Sequence, residues 1–130
     1  MTAFVDANVV MYVIGAPHPN RDRVQALLDQ FILEGTRLVT DAEVFQEILH
    51  RYGAIGRHDA INPAYEVLRG LADDVFAVGL AEVEAARELV LDGAGARDAI
   101  HVATMRSNDV HRILTFDPGF DNFHDLQRLS

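Results

Sequence analysis

The sequence predicts an α/β protein, a three-layer α/β/α sandwich around a mainly parallel central sheet, with residues 1–130 forming a single domain. Two observations carry that prediction. Short strand-like apolar runs alternate with longer amphipathic stretches, the order expected of parallel strands joined by helical crossovers. The chain has 130 residues, 49% of them hydrophobic, which is enough to close one core without cross-links. No repeat and no linker divides it.

Taken in order, Ala3 to Val5 reads as a short buried strand running into Asp6-Ala7-Asn8. Val9 to Ile14 then continues as an apolar stretch that Gly15 and Pro17 stop. Within Arg21 to Leu33, the residues Val24, Leu27, Leu28, Phe31 and Ile32 recur at helical spacing. Gly35 closes that helix ahead of a second strand at Arg37 to Thr40. Thr40 or Asp41 can cap the following helix, whose apolar positions are Val44, Phe45, Ile48, Leu49 and Tyr52. A further helix is expected after Asn62-Pro63, a strand at Val75 to Val78, and an amphipathic helix at Ala81 to Leu91. Past the break at Gly93 and Gly95, Ala96 to Met105 reads as a helix. Arg112 to Phe116 is the last strand, ending in the turn sequence Asp117-Pro118-Gly119. Phe4, Phe31, Phe45 and Phe76 fall on apolar faces and are assigned to the core.

Composition narrows the chemistry. There is no cysteine, which excludes disulfides, thiolate metal sites and cysteine nucleophiles. All 11 basic residues are arginine, so lysine-dependent Schiff-base and P-loop chemistry is excluded as well. No basic leader opens the chain and no run approaches the ~18 apolar residues of a membrane span, so a cytoplasmic, membrane-free protein is expected. A net charge of −9 argues against indiscriminate nucleic-acid binding, which depends on neutralising phosphates. That conflict eases if part of the acidity is concentrated where a cation sits, and the surplus also suits a basic protein partner.

Asp6 follows the first strand and Asp117 the last, so in a parallel sheet both carboxylates emerge on the same edge. Each has an ordinary alternative, Asp6 as a helix cap and Asp117 as a turn opener. Asp98 lies in the first turn of a helix whose neighbours look buried, where desolvation is costly unless a cation or donors compensate. On the helix after Asp41, Glu47 flanks the apolar stripe whereas Glu43 lies opposite it, so Glu47 is preferred and Glu43 is read as an exposed first-turn acid capping with Thr40. Arg51, four residues on, can pair with Glu47. Such a carboxylate set suits Mg²⁺ or Mn²⁺, and a cation held there could activate water against a phosphodiester. His101, one turn after Asp98, is read as a packing or hydrogen-bonding group rather than a zinc ligand. Arg97, Arg51 and Arg21 or Arg23 are read as surface residues.

Four ordered segments then resemble the PIN domain, and within it the VapC-type toxins of toxin-antitoxin pairs. They are Phe-Val-Asp-Ala-Asn at 4 to 8, Val-Phe-Gln-Glu-Ile-Leu at 44 to 49, Arg-Asp-Ala-Ile-His-Val-Ala-Thr at 97 to 104, and Leu-Thr-Phe-Asp-Pro-Gly-Phe at 114 to 120. The resemblance implies a Mg²⁺- or Mn²⁺-dependent endoribonuclease acting on transfer or ribosomal RNA. Asp6, Glu47, Asp98 and Asp117 would be its catalytic and metal-binding acids, and Asn8 and Thr115 polar supports. Asp121 lies close enough to rival or support Asp117. It further implies a homodimer and a VapB-type antitoxin whose toxin-binding segment is expected to be basic. Ala7 stands where many relatives carry Thr or Ser, so one hydroxyl of that pattern is missing. Two competing readings are a PIN-like binding module without turnover and a dehalogenase-like phosphatase. The phosphatase lacks its second Asp, replaced here by Asn8, and its lysine.

Overall fold

A computed structural model describes residues 1–130. Its five strands are β1 (Thr2–Val5), β2 (Arg37–Asp41), β3 (Asp74–Phe76), β4 (Arg112–Leu114) and β5 (Gln127–Leu129). They lie side by side in the order β3-β2-β1-β4-β5, with every neighbouring pair parallel. The helices are α1 (Ala7–Ile14), α2 (Pro19–Glu34), α3 (Ala42–Ala54), α4 (Ile61–Leu71), α5 (Leu80–Leu91) and α6 (Ala96–Ser107), with 3-10 turns at His58–Ala60 and Pro118–Asn122.

The predicted α/β class is therefore the observed one. From β1 the chain steps outward through β2 to β3, then returns through α5 and α6 to β4 on the other side of β1. Right-handed crossovers running in opposite directions put their helices on opposite faces. Accordingly α1, α2, α3 and α4 contact one another in chain or in space, while α5 packs chiefly on α6. The order reverses between β1 and β4, and the crevice beyond their carboxyl ends is the switch point at which doubly wound sheets bind ligands.

Local chemistry sets the boundaries. His18 Nδ1 accepts from Asn20 N at 3.0 Å with Pro19 opening α2, and Gly35 ends that helix at φ +69°, a left-handed conformation suited to glycine. Asp41, not Thr40, caps α3, because its Oδ1 accepts from Val44 N at 2.9 Å. Thr40 instead donates across the sheet to the Val5 carbonyl at 3.0 Å. The third strand starts one residue before its expected position and stops at Phe76, since it pairs only with Val39 to Asp41 and its Asp74 and Val75 are exposed at the sheet edge. The three-residue β5 was not expected at all. Leu49, placed on the packed face by its spacing, is 46% exposed, while Glu47 is buried. The buried stripe of α3 is thus Val44, Glu47, Ile48 and Tyr52, rotated toward the sheet's carboxyl edge.

Phe4, Val5, Val39, Ile113 and Leu114 of the sheet and Val9, Val10, Val24, Ile48, Leu68, Val102 and Met105 of the helices form one continuous core. Ile113 is fully buried in β4, the strand leading to Thr115 and Asp117. Ile113→Ala is expected to destabilise the protein by about 2–5 kcal/mol in urea unfolding at unchanged m-value; a loss under about 1 kcal/mol would show that β4 is not a rigid part of the core.

Candidate active site

Three neighbouring strands end in polar residues at one edge: β2 in Asp41, β1 just before Asp6, and β4 just before Thr115. Asp6 is buried and caps α1, Oδ1 accepting from Ala7 N at 2.8 Å. Its Oδ2 accepts from Thr115 Oγ1 at 2.7 Å. That hydroxyl is fully used, since it also accepts from Asn8 Nδ2 at 2.9 Å and from Asp117 N at 3.1 Å. Asn8 reaches Asp6 Oδ2 at 3.4 Å, and its Oδ1 accepts from Phe116 N at 3.2 Å. Asn8 and Thr115 therefore clamp the end of β1 to the loop after β4 and aim Asp6 between them.

Asp6, Glu47, Asp98 and Asp117 all line one cavity of about 200 Å³, together with Asn8, Tyr12, Arg51 and Phe116. Asp117 caps the 3-10 turn through Gly119 N at 2.8 Å. Gly119 leaves room for the Asp117 carboxylate, because a Cβ there would stand 3.1 Å from Asp117 Oδ1, while Asp98 Oδ2 lies at an ordinary contact distance of 3.7 Å. Asp121 does not line the cavity. It is exposed and forms a two-pronged pair with Arg128, at 2.9 and 3.1 Å.

Glu47 is held from two sides, with Arg51 Nε 3.4 Å from Oε2 and Arg97 Nε 3.9 Å from Oε1. Glu43, expected to point away, instead meets Arg97 at 3.4 Å and is partly buried; it is not in a capping box with Thr40. Arg97 is thus engaged with Glu43, Glu47 and, at 3.1 Å, Gln46, rather than lying free on the surface.

His101 is the feature the sequence understated. It is wholly buried, its Nδ1 is 2.8 Å from Asp41 Oδ2, and its Nε2 stands 3.8 Å from Glu47 Oε1 and 4.0 Å from Asp6 Oδ1. The reading as a hydrogen-bonding group beside the site agrees with this geometry. Its partner Asp41 was recognised only as a cap. A signal existed: Asp41 ends a strand neighbouring the one before Asp6, so a parallel register brings them to the same edge.

The electrostatics follow from crowding in a desolvated place. Burial raises the Asp6 carboxyl above its usual range despite His101 and Thr115. Burial and then Asp117 and Asp6 push Asp98 up to about 6. Burial would also raise Glu47, but His101, Arg51 and Arg97 outweigh it and hold Glu47 low. For His101 burial opposes the charged form, yet Asp41, Glu47 and Asp6 prevail and push it up to about 10. Its carboxylate neighbours thus favour the charged form.

With no cation bound, Asp98 takes up a proton near pH 6 when folded and near 3.8 when unfolded, so its contribution lowers stability as pH rises between those values. In chelator, Asp98→Asn is expected to be more stable than the parent at pH 7.5, with the gain fading below pH 6 and absent below about 4. Equal urea midpoints at pH 7.5 would contradict the crowding.

The PIN domain family matches residues 3–126. Ribonuclease VapC13 of Mycobacterium tuberculosis is 45% identical over 128 residues, covering 97% of this chain and 98% of that protein. Among solved structures, M. tuberculosis VapC20, described as a sarcin-ricin loop cleaving toxin, superposes with a TM-score of 0.75 at 17% identity over 94% of both chains. VapBC2 of Rickettsia felis, bound to a fragment of promoter DNA, gives 0.74 at 12% identity over 99% of this chain and 98% of that one. At those identities the structures speak for the fold, whereas the family match and the 45% identity speak for kinship: the chain belongs to the PIN-domain family, in the branch of the VapC ribonucleases.

Proposed function

We propose that the chain is the toxin of a VapBC-type pair, an endoribonuclease hydrolysing RNA phosphodiesters with Mg²⁺ or Mn²⁺ held among Asp6, Glu47, Asp98 and Asp117. The observation that carries this reading is the meeting of those four carboxylates in one small cavity at the switch point of the sheet. The donor set fits the group: the cavity offers carboxylate oxygens, the chain has no thiolate, and Asp98 is raised by burial and then by its acidic neighbours, both of which a cation would offset. When bound, such a cation lowers the pKa of water and stabilises charge developing on the phosphodiester.

The chain's own residues supply position. Thr115 and Asn8 fix Asp6, while Arg51 and Arg97 restrain Glu47 and the Gly119 amide holds Asp117. Arg51, half exposed on the cavity wall, is placed to meet a substrate phosphate. Tyr12 and Phe116, edge to face at 5.3 Å, form an apolar wall on which an unstacked base can lie. That favours single-stranded stretches of a transfer or ribosomal RNA over duplex. A dehalogenase-like phosphatase is disfavoured by Asn8 in place of its second Asp and by the absence of lysine. An antitoxin with a basic segment matches the −9 charge, and the exposed Leu80, Val83, Val90 and Leu91 of α5 offer apolar surface for a homodimer. No helix is long and apolar enough to cross a membrane.

The test is cleavage of total RNA by the purified chain. Cutting is expected with Mg²⁺ or Mn²⁺ and not in chelator, with Asp6→Asn and Asp98→Asn each reducing the rate at least ~10²-fold while remaining folded. Cutting that persists in chelator would contradict the metal mechanism.

A further inference from the structure

We propose that Asp41 and His101 form a buried positioning pair that holds the metal-binding carboxylates in register from behind the cavity. The inference rests on the reading of Asp6 and Glu47 as metal ligands and assigns residues to it that the four-acid set does not contain.

The geometry joins three elements through one ring. Asp41 ends β2; its Oδ1 caps α3 through Val44 N at 2.9 Å, and its Oδ2 meets His101 Nδ1 at 2.8 Å. His101 sits one turn after Asp98 on α6, with its ring 5.5 Å from that of Phe4 in β1. The other ring nitrogen, Nε2, is buried, has no hydrogen-bond partner, and is directed at Glu47 Oε1 and Asp6 Oδ1, at 3.8 and 4.0 Å. One imidazole therefore sets the spacing of the helix that carries Glu47, the helix that carries Asp98 and the strand end that carries Asp6.

The same atoms allow a competing arrangement. Ligand atoms of Asp6, Glu47 and His101 all lie within 4.8 Å of one another, close enough for an ion to bridge. His101 is nevertheless fully buried and does not line the cavity, whereas Asp6, Glu47, Asp98 and Asp117 all do. A cation entering from solvent meets Asp6, Glu47, Asp98 and Asp117, and His101 acts through them. Groups that support metal ligands in this way typically change metal affinity about 10- to 100-fold when removed.

The experiment is Mn²⁺ binding to the 130-residue chain without RNA, by calorimetry and electron paramagnetic resonance, on the parent, His101→Phe, Asp41→Asn and the double variant, each checked for folding by urea unfolding. Asparagine keeps the α3 cap, so Asp41→Asn carries the test if His101→Phe does not fold. Each single variant is expected to weaken Mn²⁺ binding about tenfold or more, with the double variant no weaker than His101→Phe, because Asp41 acts through His101. His101→Gln, which can keep a donor facing the carboxylates, is expected to recover part of the loss. Folded variants that bind Mn²⁺ like the parent, or losses that add in the double variant, would overturn the pair alone. A nitrogen hyperfine coupling on Mn²⁺ would make His101 a ligand and overturn it too. A parent chain that binds no Mn²⁺ would overturn the four-acid reading and this inference with it.

Discussion

Gathering carboxylates where water is scarce is the constraint on which the rest of this structure depends. Two unit charges 4 Å apart repel by about 4 kcal/mol at the effective dielectric near a protein surface, and Asp6, Glu47, Asp98 and Asp117 share one cavity. The protein answers with a different device for each acid. Asp6 accepts a hydrogen bond on each oxygen, from Ala7 and Thr115, and keeps lone-pair capacity for a cation, while Glu47 is flanked by Arg51 and Arg97. Asp117 is engaged by the Gly119 amide. Asp98 receives the least compensation, and its carboxyl is pushed up to about 6. The repulsion left over is what a divalent cation would relieve.

The sheet decides where this happens. In the order β3-β2-β1-β4-β5 the central β1 has β2 on one side and β4 on the other, so the residues following three strands meet at one edge. Thr115 links two of these ends with a single hydroxyl that donates once and accepts twice. On the core side, His101 lies within 4.0 Å of Asp6 and Glu47 and ties α6 to the end of β2 through Asp41. The surface sees a cluster of acids in a chain of net charge −9, of which Asp6, Glu47 and Asp117 are held by hydrogen bonds or ion pairs.

Much of this was legible in the sequence, for physical reasons. Strand and helix periods differ, so the β-α order was visible, and residues directly after strands in a parallel sheet must share an edge, which pointed to Asp6 and Asp117. Helix geometry favoured Glu47 over Glu43, although the stripe that buries Glu47 is rotated: Leu49 is solvent-exposed and Glu43 is drawn to Arg97. What could not be read depended on tertiary pairing. The strand β5 is three residues long and exists through its ladder with β4. Asp121 and Asp117 look alike in sequence, and only the fold shows Arg128 beside the first and the cavity beside the second. Asp41 carried an adequate local explanation as a helix cap, which concealed its second oxygen.

The central claim is that the four acids converge on a site for a hard cation. The most direct measurement is a crystal structure of the chain grown with Mn²⁺, phased for anomalous scattering. The account predicts an anomalous peak inside the cavity, within about 2.0–2.3 Å of carboxylate oxygens that include Asp6 and Asp98. A fully occupied Mn²⁺ elsewhere on the chain, with the cavity empty at millimolar metal, would contradict it.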